Sequence, residues 1–358
     1  MEYFYMKKTL IALAVLAASG ASFAQVTISG NLAMGYRATT TGAVGASSDS
    51  AGFGVDTSEI DFAATEDLGG GMKATAKLAL AGADRSGESN PVAVAAGVGN
   101  NVTGRDATLT LQTNAGALVL GSVSAADYLS GAQGLTAGFA GVGAYYNGWD
   151  GKVLSGRTNR DTVTYIVPVG AVSLFASYQE TSVQANQGLG LGTAGTAGVT
   201  GQSLTVWGAT YAKGAANANF TYLNFNAKGS AGATKDQTRL SGNYDFGAAK
   251  LGLGAVVTNT EGGALVAGKT TDMLLGVAVP MGALTLGVEF AQRKLDDMAA
   301  LSGGAVAANG TVNGTSLQAT YALSKRTAVI GNYARWTSYT NVNADASSQF
   351  NLLLSHSF

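Results

Sequence analysis

The chain has 358 residues, of which 51 are glycine, 3 are proline and none is cysteine. Charged residues make up only 12% of it, against roughly 25% in an ordinary soluble domain. The absence of cysteine excludes disulfides, thiolate metal sites and cysteine nucleophiles. The net charge of −1 gives no electrostatic basis for binding nucleic acid.

The first 24 residues have the pattern of a secretory signal peptide. Lys7 and Lys8 form a positive start, residues 9–18 form a short apolar core, and the small-x-small sequence S-F-A ends at Ala24. Such a segment is cut after its small residues and directs the chain across the inner membrane. We therefore expect residues 1–24 to be removed and residues 25–358 to form one domain.

Beyond this segment the sequence contains no run of 18 apolar residues, so it predicts no transmembrane helix. It alternates instead between apolar and polar residues, which is the period of a β-strand. The strand predicted over 26–37 places apolar side chains on one face: Val26, Ile28, Leu32, Met34 and Tyr36. Its other face carries Thr27, Ser29, Asn31 and Arg37.

The last strand, 348–358, shows the same alternation. Its apolar face carries Phe350, Leu352, Leu354, His356 and Phe358. Taken alone, this pattern also fits a half-buried strand of a soluble sandwich. Repeated along a charge-poor chain, it favours a barrel with lipid outside and water inside.

Short and long connections alternate between the predicted strands. Short turns are predicted near 66–71, 114–116, 168–170, 213–216, 247–249, 280–282 and 324–326. Long loops are predicted over 40–55, 82–104, 124–156, 181–202, 226–235, 259–269, 294–313 and 339–347. This asymmetry is typical of periplasmic turns and extracellular loops. The fold predicted is all-β, a transmembrane antiparallel β-barrel of about 16 strands.

Several segments together resemble the general porins of Gram-negative bacteria, of the betaproteobacterial and neisserial type. They are T-E-D-L-G-G-G-M-K-A at 65–74, the hairpin 105–121, D-T-V-T-Y at 161–165, Y-A-L-S-K-R-T at 321–327 and H-S-F at 356–358. The resemblance implies a sixteen-stranded homotrimeric diffusion pore in the outer membrane, narrowed by an inward-folded third loop. It also implies contact with outer-membrane lipid and lipopolysaccharide.

The chain departs from that family where basic residues normally help line the constriction. It has Ser58-Glu59 in place of S-R, F-A-A at 62–64 and G-S-V at 121–123. The anion selectivity that a basic wall provides in that family therefore cannot be assumed for this chain.

Alternation places eleven charged side chains on the inner wall. The acidic ones are Glu59, Asp61, Asp106, Asp245 and Glu289, and the basic ones are Lys73, Lys77, Arg160, Arg239, Lys250 and Arg293. Charges facing a narrow lumen set the field that an ion or polar solute meets. Any single one of them is also explained as a solvated wall residue.

The segment 124–156 is the longest stretch without strand alternation. Loops of this length in compact proteins are usually functional. Its aromatic residues, among them Tyr128, Tyr145, Tyr146 and Trp149, need a surface to pack on. We expect this loop to fold into the lumen, with Asp127 and Asp150 facing basic groups such as Arg157 and Arg160.

These features predict a general diffusion porin that passes small hydrophilic solutes and ions passively. A substrate-specific channel of the same fold and a structural or adhesive barrel are the alternatives. His356 is the only histidine and faces outward by alternation, without a nearby acid. Because imidazole catalysis needs a partner beside it, the sequence argues against an enzyme. No cofactor or metal is expected.

Overall fold

The computed structural model describes residues 25–43, 46–82, 103–125, 154, 158–181, 203–226, 234–261, 268–296, 309–337 and 346–358. They form sixteen β-strands, each antiparallel to its neighbours. The strands are β1 (Gln25–Ala43), β2 (Ala46–Gly69), β3 (Met72–Ala81), β4 (Thr103–Thr113), β5 (Gly116–Ala125), β6 (Thr158–Val169), β7 (Val172–Thr181), β8 (Ser203–Lys213), β9 (Ala216–Phe225), β10 (Thr234–Asp245), β11 (Lys250–Thr260), β12 (Lys269–Met281), β13 (Leu284–Asp296), β14 (Gly310–Ala322), β15 (Thr327–Trp336) and β16 (Ser347–Ser357).

The sheet closes on itself because β1 pairs with both β2 and β16. At the seam, the Phe358 N–H donates to the Gly30 carbonyl at 3.0 Å, and the Gly30 N–H donates to the Phe358 carbonyl at 3.1 Å. The Phe358 ring lies where a side chain at position 30 would point. A closed sheet leaves no strand edge to pair with another chain. The predicted sixteen-stranded antiparallel barrel is confirmed.

The two faces of the sheet differ as the alternation predicts. On β14, Leu317 and Tyr321 are half exposed on the outside, whereas Ser316, Gln318 and Thr320 are buried on the inside. On β16, Phe350, Leu352 and Leu354 point outward, and Asn351 and Ser355 point inward. An apolar outer face with a polar inner face is the arrangement of a membrane barrel. No described segment is a helix long and apolar enough to cross a membrane.

The short connections are tight turns at one end of the barrel. Gly170, Gly214 and Gly282 turn the chain between neighbouring strands with φ of 63°, 59° and 64°. Only glycine adopts this left-handed conformation without a steric penalty. The interiors of the long connections lie outside the described residues, as does the predicted signal peptide 1–24.

The loop predicted over 40–55 is wrong. β1 continues to Ala43 and β2 begins at Ala46, so this segment forms a long paired hairpin. Its Gly, Ser and Thr residues suggested a loop, but backbone pairing between strands does not require apolar side chains. An edge-on contact between Tyr36 and Phe53, with ring centroids 5.3 Å apart, supports the extension.

Candidate functional site

Two ion pairs cross the inner wall between β2, β3 and β4. Arg105 Nη1 lies 2.6 Å from Glu59 Oε1, and Lys77 Nζ lies 3.3 Å from Asp61 Oδ2. The Lys77 side chain is about half exposed, at 47%. These charges therefore remain accessible from the barrel interior.

Two β-bulges bring further charges to this wall. The pairing of β2 with β1 shifts at Asp56, and the pairing of β4 with β3 shifts at Arg105. A bulge inserts one extra residue and re-aims the side chains near it. Asp56 consequently binds Arg37, whose Nε also donates to Asn351 at 2.9 Å across the β1–β16 seam. Strict alternation assigns Asp56 and Arg105 to the outer face and so misses both.

A second charge cluster lies between β12 and β13. Arg293 and Asp272 stand directly opposite each other, and Arg293 Nε and Nη2 donate to Asp272 Oδ1 and Oδ2, each at 2.6 Å. Both side chains are almost fully buried. Glu289 follows on the same face of β13 and is completely buried. Sequence reasoning identified Arg293 and Glu289 but missed Asp272, the acid that pairs with the buried Arg293.

Two further arginines on the inner wall are held by amide side chains. Arg160 Nη1 donates to Gln179 Oε1 at 3.0 Å, and the guanidinium lies 5.6 Å from the centre of the Phe225 ring. Arg239 Nε donates to Gln237 Oε1 at 2.6 Å. These contacts fix both guanidinium groups against the wall.

The inner wall also carries an apolar strip that crosses β11 to β15. Its members are Val256, Leu274, Ala291, Val312 and Ala334, all of them buried. Leu154, which lies between β5 and β6 in the chain, is fully buried against this strip, and Trp336 packs beside it. Leu154 therefore reaches across the interior to the wall opposite its own neighbours in sequence.

The predicted wall residues separate into three groups. Glu59, Asp61 and Lys77 lie in one ion-paired cluster, which they share with the unpredicted Arg105, whereas Glu289 and Arg293 belong to the buried cluster. Lys73, Asp106, Arg160, Arg239, Asp245 and Lys250 lie on strands at other inward positions. Asp127, Asp150 and Arg157 lie outside the described residues.

The site so built is an interior wall of mixed charge. Among the described residues, no three His, Cys, Asp or Glu side chains are grouped to hold a metal ion. His356 faces outward, and its Nδ1 lies 2.9 Å from Thr327 Oγ1. Facing charges in a closed barrel can order water and act on passing solutes.

Comparisons with known proteins agree with this architecture. A family model described as Gram-negative porin matches residues 9–341. Outer membrane porin protein 32 of Delftia acidovorans is 31% identical over 349 residues, which cover 92% of this chain and 89% of that protein. The anion-selective porin from Comamonas acidovorans superposes with a TM-score of 0.65 at 21% identity, covering 94% of this chain and all of that one. OmpT of Vibrio cholerae, in a trimer form, superposes with a TM-score of 0.61 at 13% identity, covering 93% and 99%.

Proposed function

The chain belongs to the Gram-negative porin family and forms an outer-membrane channel, and we propose which of its residues determine the width of the pore and the electrostatic field inside it. Small hydrophilic solutes and ions pass the lumen down their gradients. The segment between β5 and β6 folds into the lumen and narrows it, with Asp127 and Asp150 facing basic wall residues. The ion-paired cluster on β2 to β4 forms the wall that passing ions meet.

The buried position of the Leu154 side chain is the observation that supports this proposal. Its side chain is fully buried against inward-facing residues of β11 to β15, including Leu274 and Val312. A side chain from the β5–β6 connection can reach these strands only through the barrel interior. Full burial of a leucine contributes about 1.5–3 kcal/mol, which is enough to hold one end of the segment against the wall.

Single-channel recording of a loop deletion tests the constriction. Removing residues 140–150 should raise the conductance and admit larger sugars in liposome swelling. The matched control removes residues 186–196 from the next long connection, which should leave both measurements near the wild-type values. Equal conductance of the two deletions and the wild type would place the β5–β6 segment outside the bore.

Swelling with sugars of graded size also separates the competing functions. A general pore admits sugars in order of size, whereas a substrate-specific channel admits one sugar far better than others of its size. A structural barrel admits none. The inward charges of both signs, such as Glu59, Asp61, Lys77 and Arg105, favour a general pore of weak selectivity.

Whether the pore favours anions or cations depends on how its basic residues are paired with carboxylates, rather than on the number of basic residues. The relative from Comamonas acidovorans is named an anion-selective porin. In this chain Arg37, Lys77 and Arg105 each face a carboxylate at the inner wall, so their fields are partly cancelled. We expect a reversal potential near zero in a KCl gradient, and a strongly anionic or cationic value would contradict the paired wall.

We further propose that the functional unit is a homotrimer embedded in outer-membrane lipid. The trimer form of the OmpT structure, which shares this fold, supports that assembly. A heat-sensitive band of three chains on a semi-native gel should appear after extraction, and a monomer alone would refute it.

A further inference from the structure

Neutral hydrogen-bonding side chains line the inner face of β9 and β10 near the turn end of the barrel. They are Asn217, Asn219 and Thr221 on β9, and Ser241 and Asn243 on β10. Asn217 stands directly opposite Asn243, and Asn219 stands opposite Ser241. We call these residues the neutral ladder. In the closed order of strands β10 lies halfway around the barrel from β2, so the ladder lies across the lumen from the ion-paired cluster.

The asparagines of the ladder are open to the lumen. Asn217 is exposed, and Asn219 and Asn243 are half-buried. Thr221 and Ser241 are buried beside them. A solute in the barrel can therefore reach the amide groups.

Hydrogen bonds within the ladder orient two of the amides but leave part of their bonding capacity unused. Asn217 Nδ2 donates to Asn243 Oδ1 at 3.2 Å, and Thr221 Oγ1 donates to Asn219 Oδ1 at 2.9 Å. An amide carries two N–H donors and an oxygen that accepts twice. No described residue bonds Asn217 Oδ1 or Asn219 Nδ2. The ladder thus presents an acceptor and a donor about 6.6 Å apart along one strand, a distance that the opposite hydroxyl groups of a small sugar span.

Charged groups lie at the two ends of the ladder and not within it. On the loop side, Arg239 stands opposite Thr221, and its Nε donates to Gln237 Oε1 at 2.6 Å. On the turn side, Asp245 and Lys250 stand directly opposite each other. Neutral amides replace the hydrogen bonds that a hydroxyl group makes with water. They offer an ion no compensating charge, so the ladder suits uncharged solutes.

Two other neutral stretches of the inner wall lack this access. On β6 and β7, the hydroxyl groups of Thr162, Thr164 and Ser177 bond one another at 2.7 to 2.9 Å. On β14 and β15, Ser316 and Asn332 are buried and bond each other at 2.8 Å. Of these stretches, the ladder alone combines exposure with unused donors and acceptors.

We infer that the neutral ladder is a weak binding site for uncharged, hydroxyl-rich solutes such as small sugars and polyols. The inference rests on the proposed diffusion pore and names the part of its wall that serves uncharged solutes. A site in a channel must bind strongly enough to admit a solute and weakly enough to release it. Hydrogen bonds to exposed amides meet this condition, because water competes for each of them. The site raises the flux of such solutes at low concentration and leaves the size limit unchanged.

Uptake of labelled arabinose at low concentration into proteoliposomes tests the site. The double variant Asn217→Leu/Asn219→Leu keeps nearly the same side-chain shape and removes the hydrogen bonds. The matched control is Gln112→Leu, because Gln112 is an exposed amide next to the turn on β4, opposite Lys73 on the charged wall. Each variant is first shown to be folded by its heat-sensitive mobility on a gel, and its single-channel conductance is recorded in KCl.

The double variant should take up arabinose about twofold to fivefold more slowly, as expected for neutral hydrogen bonds in contact with water. Excess unlabelled arabinose should slow labelled uptake in the wild type but not in the double variant, since it competes for the site. Asn217→Gln/Asn219→Gln, which retains the amides, should recover most of the rate, and Gln112→Leu should match the wild type. Triethylene glycol, an ether of equal mass with fewer hydroxyl groups, should enter all of them at similar rates. The KCl conductance should not change.

Three results would overturn the inference. The first is equal arabinose uptake by the wild type and the double variant, and the second is an equal loss in Gln112→Leu. The third is a parallel loss of KCl conductance and arabinose uptake in the double variant, which would show a narrower pore and not a lost binding site. The absence of arabinose uptake by wild-type channels that conduct KCl is a different failure, because it would refute the general pore itself.

Discussion

The inner wall of this barrel has two regions that share one sequence pattern and differ in environment. Over β12 to β16, which we call the covered wall, inward residues away from the strand ends are buried, among them Asp272, Glu289, Ser316 and Asn351. Over β2 to β5, the open wall, most inward residues are partly or fully exposed, with Thr57 and Ala79 as buried exceptions. The alternation decides which face a residue joins, but not whether water reaches it.

The difference changes what an ion pair does in each region. Arg293 and Asp272 on the covered wall are both nearly buried, whereas Lys77 and Asp61 on the open wall are partly exposed. A buried pair mainly avoids the cost of an unpaired buried charge, and an exposed pair contributes little stability. We therefore expect the covered wall to support the fold and the open wall to act on ions.

The largest effect is expected from breaking the buried pair. Arg293→Met leaves the Asp272 carboxylate buried without its bidentate partner, which should cost about 3–5 kcal/mol of unfolding free energy. Urea unfolding of the folded barrel in detergent, followed by tryptophan fluorescence, measures it. The double variant Arg293→Met/Asp272→Leu should recover most of the loss, because no buried charge then remains. A stable single variant would show that water enters the covered wall.

The outer surfaces of the two regions should behave alike. Leu109 on β4 and Leu352 on β16 both lie near the middle of their strands and are 51% and 48% exposed. An arginine at the membrane midplane costs about 2–4 kcal/mol, so Leu109→Arg and Leu352→Arg should lose similar stability in vesicles. Thr110→Arg, which points inward, is the control and should be tolerated. Clearly unequal losses would mean that one outer surface faces a protein rather than lipid.

A larger side chain on the inner face should destabilise the covered wall more than the open wall. Ser316 on the covered wall is fully buried, and its Oγ accepts a 2.8 Å hydrogen bond from Asn332 Nδ2. Ser316→Leu should cost about 1–3 kcal/mol through overpacking. Thr110→Leu on the open wall, where there is room, should cost much less. Equal unfolding midpoints for the two variants would contradict the division of the wall.

The alternation of apolar and polar residues with a period of two was sufficient to predict the barrel, its strand number and the inward direction of residues such as Glu289 and Arg293. The prediction failed where the alternation is interrupted or incomplete. The bulges at Asp56 and Arg105 turn two charges inward against parity, and Asp272 was overlooked on a strand whose inner face also holds Leu274. Burial on the covered wall depends on contacts between residues far apart in sequence, such as Leu154 and Val312, and alternation carries no information about them.

The smallest effect on stability should come from the open wall, together with a clear effect on ions. Lys77→Met removes a pair whose atoms are 3.3 Å apart and whose lysine is about half exposed, so the unfolding free energy should fall by about 1 kcal/mol or less. The freed Asp61 carboxylate should move the reversal potential toward cation selectivity, since its field is no longer cancelled. This shift should shrink as salt rises, because about 1 M salt screens charges beyond roughly 3 Å. Asp61→Asn should move the potential the other way. A large loss of stability in Lys77→Met, with no change in reversal potential, would show that the open wall supports the fold, as the covered wall does, and does not act on ions.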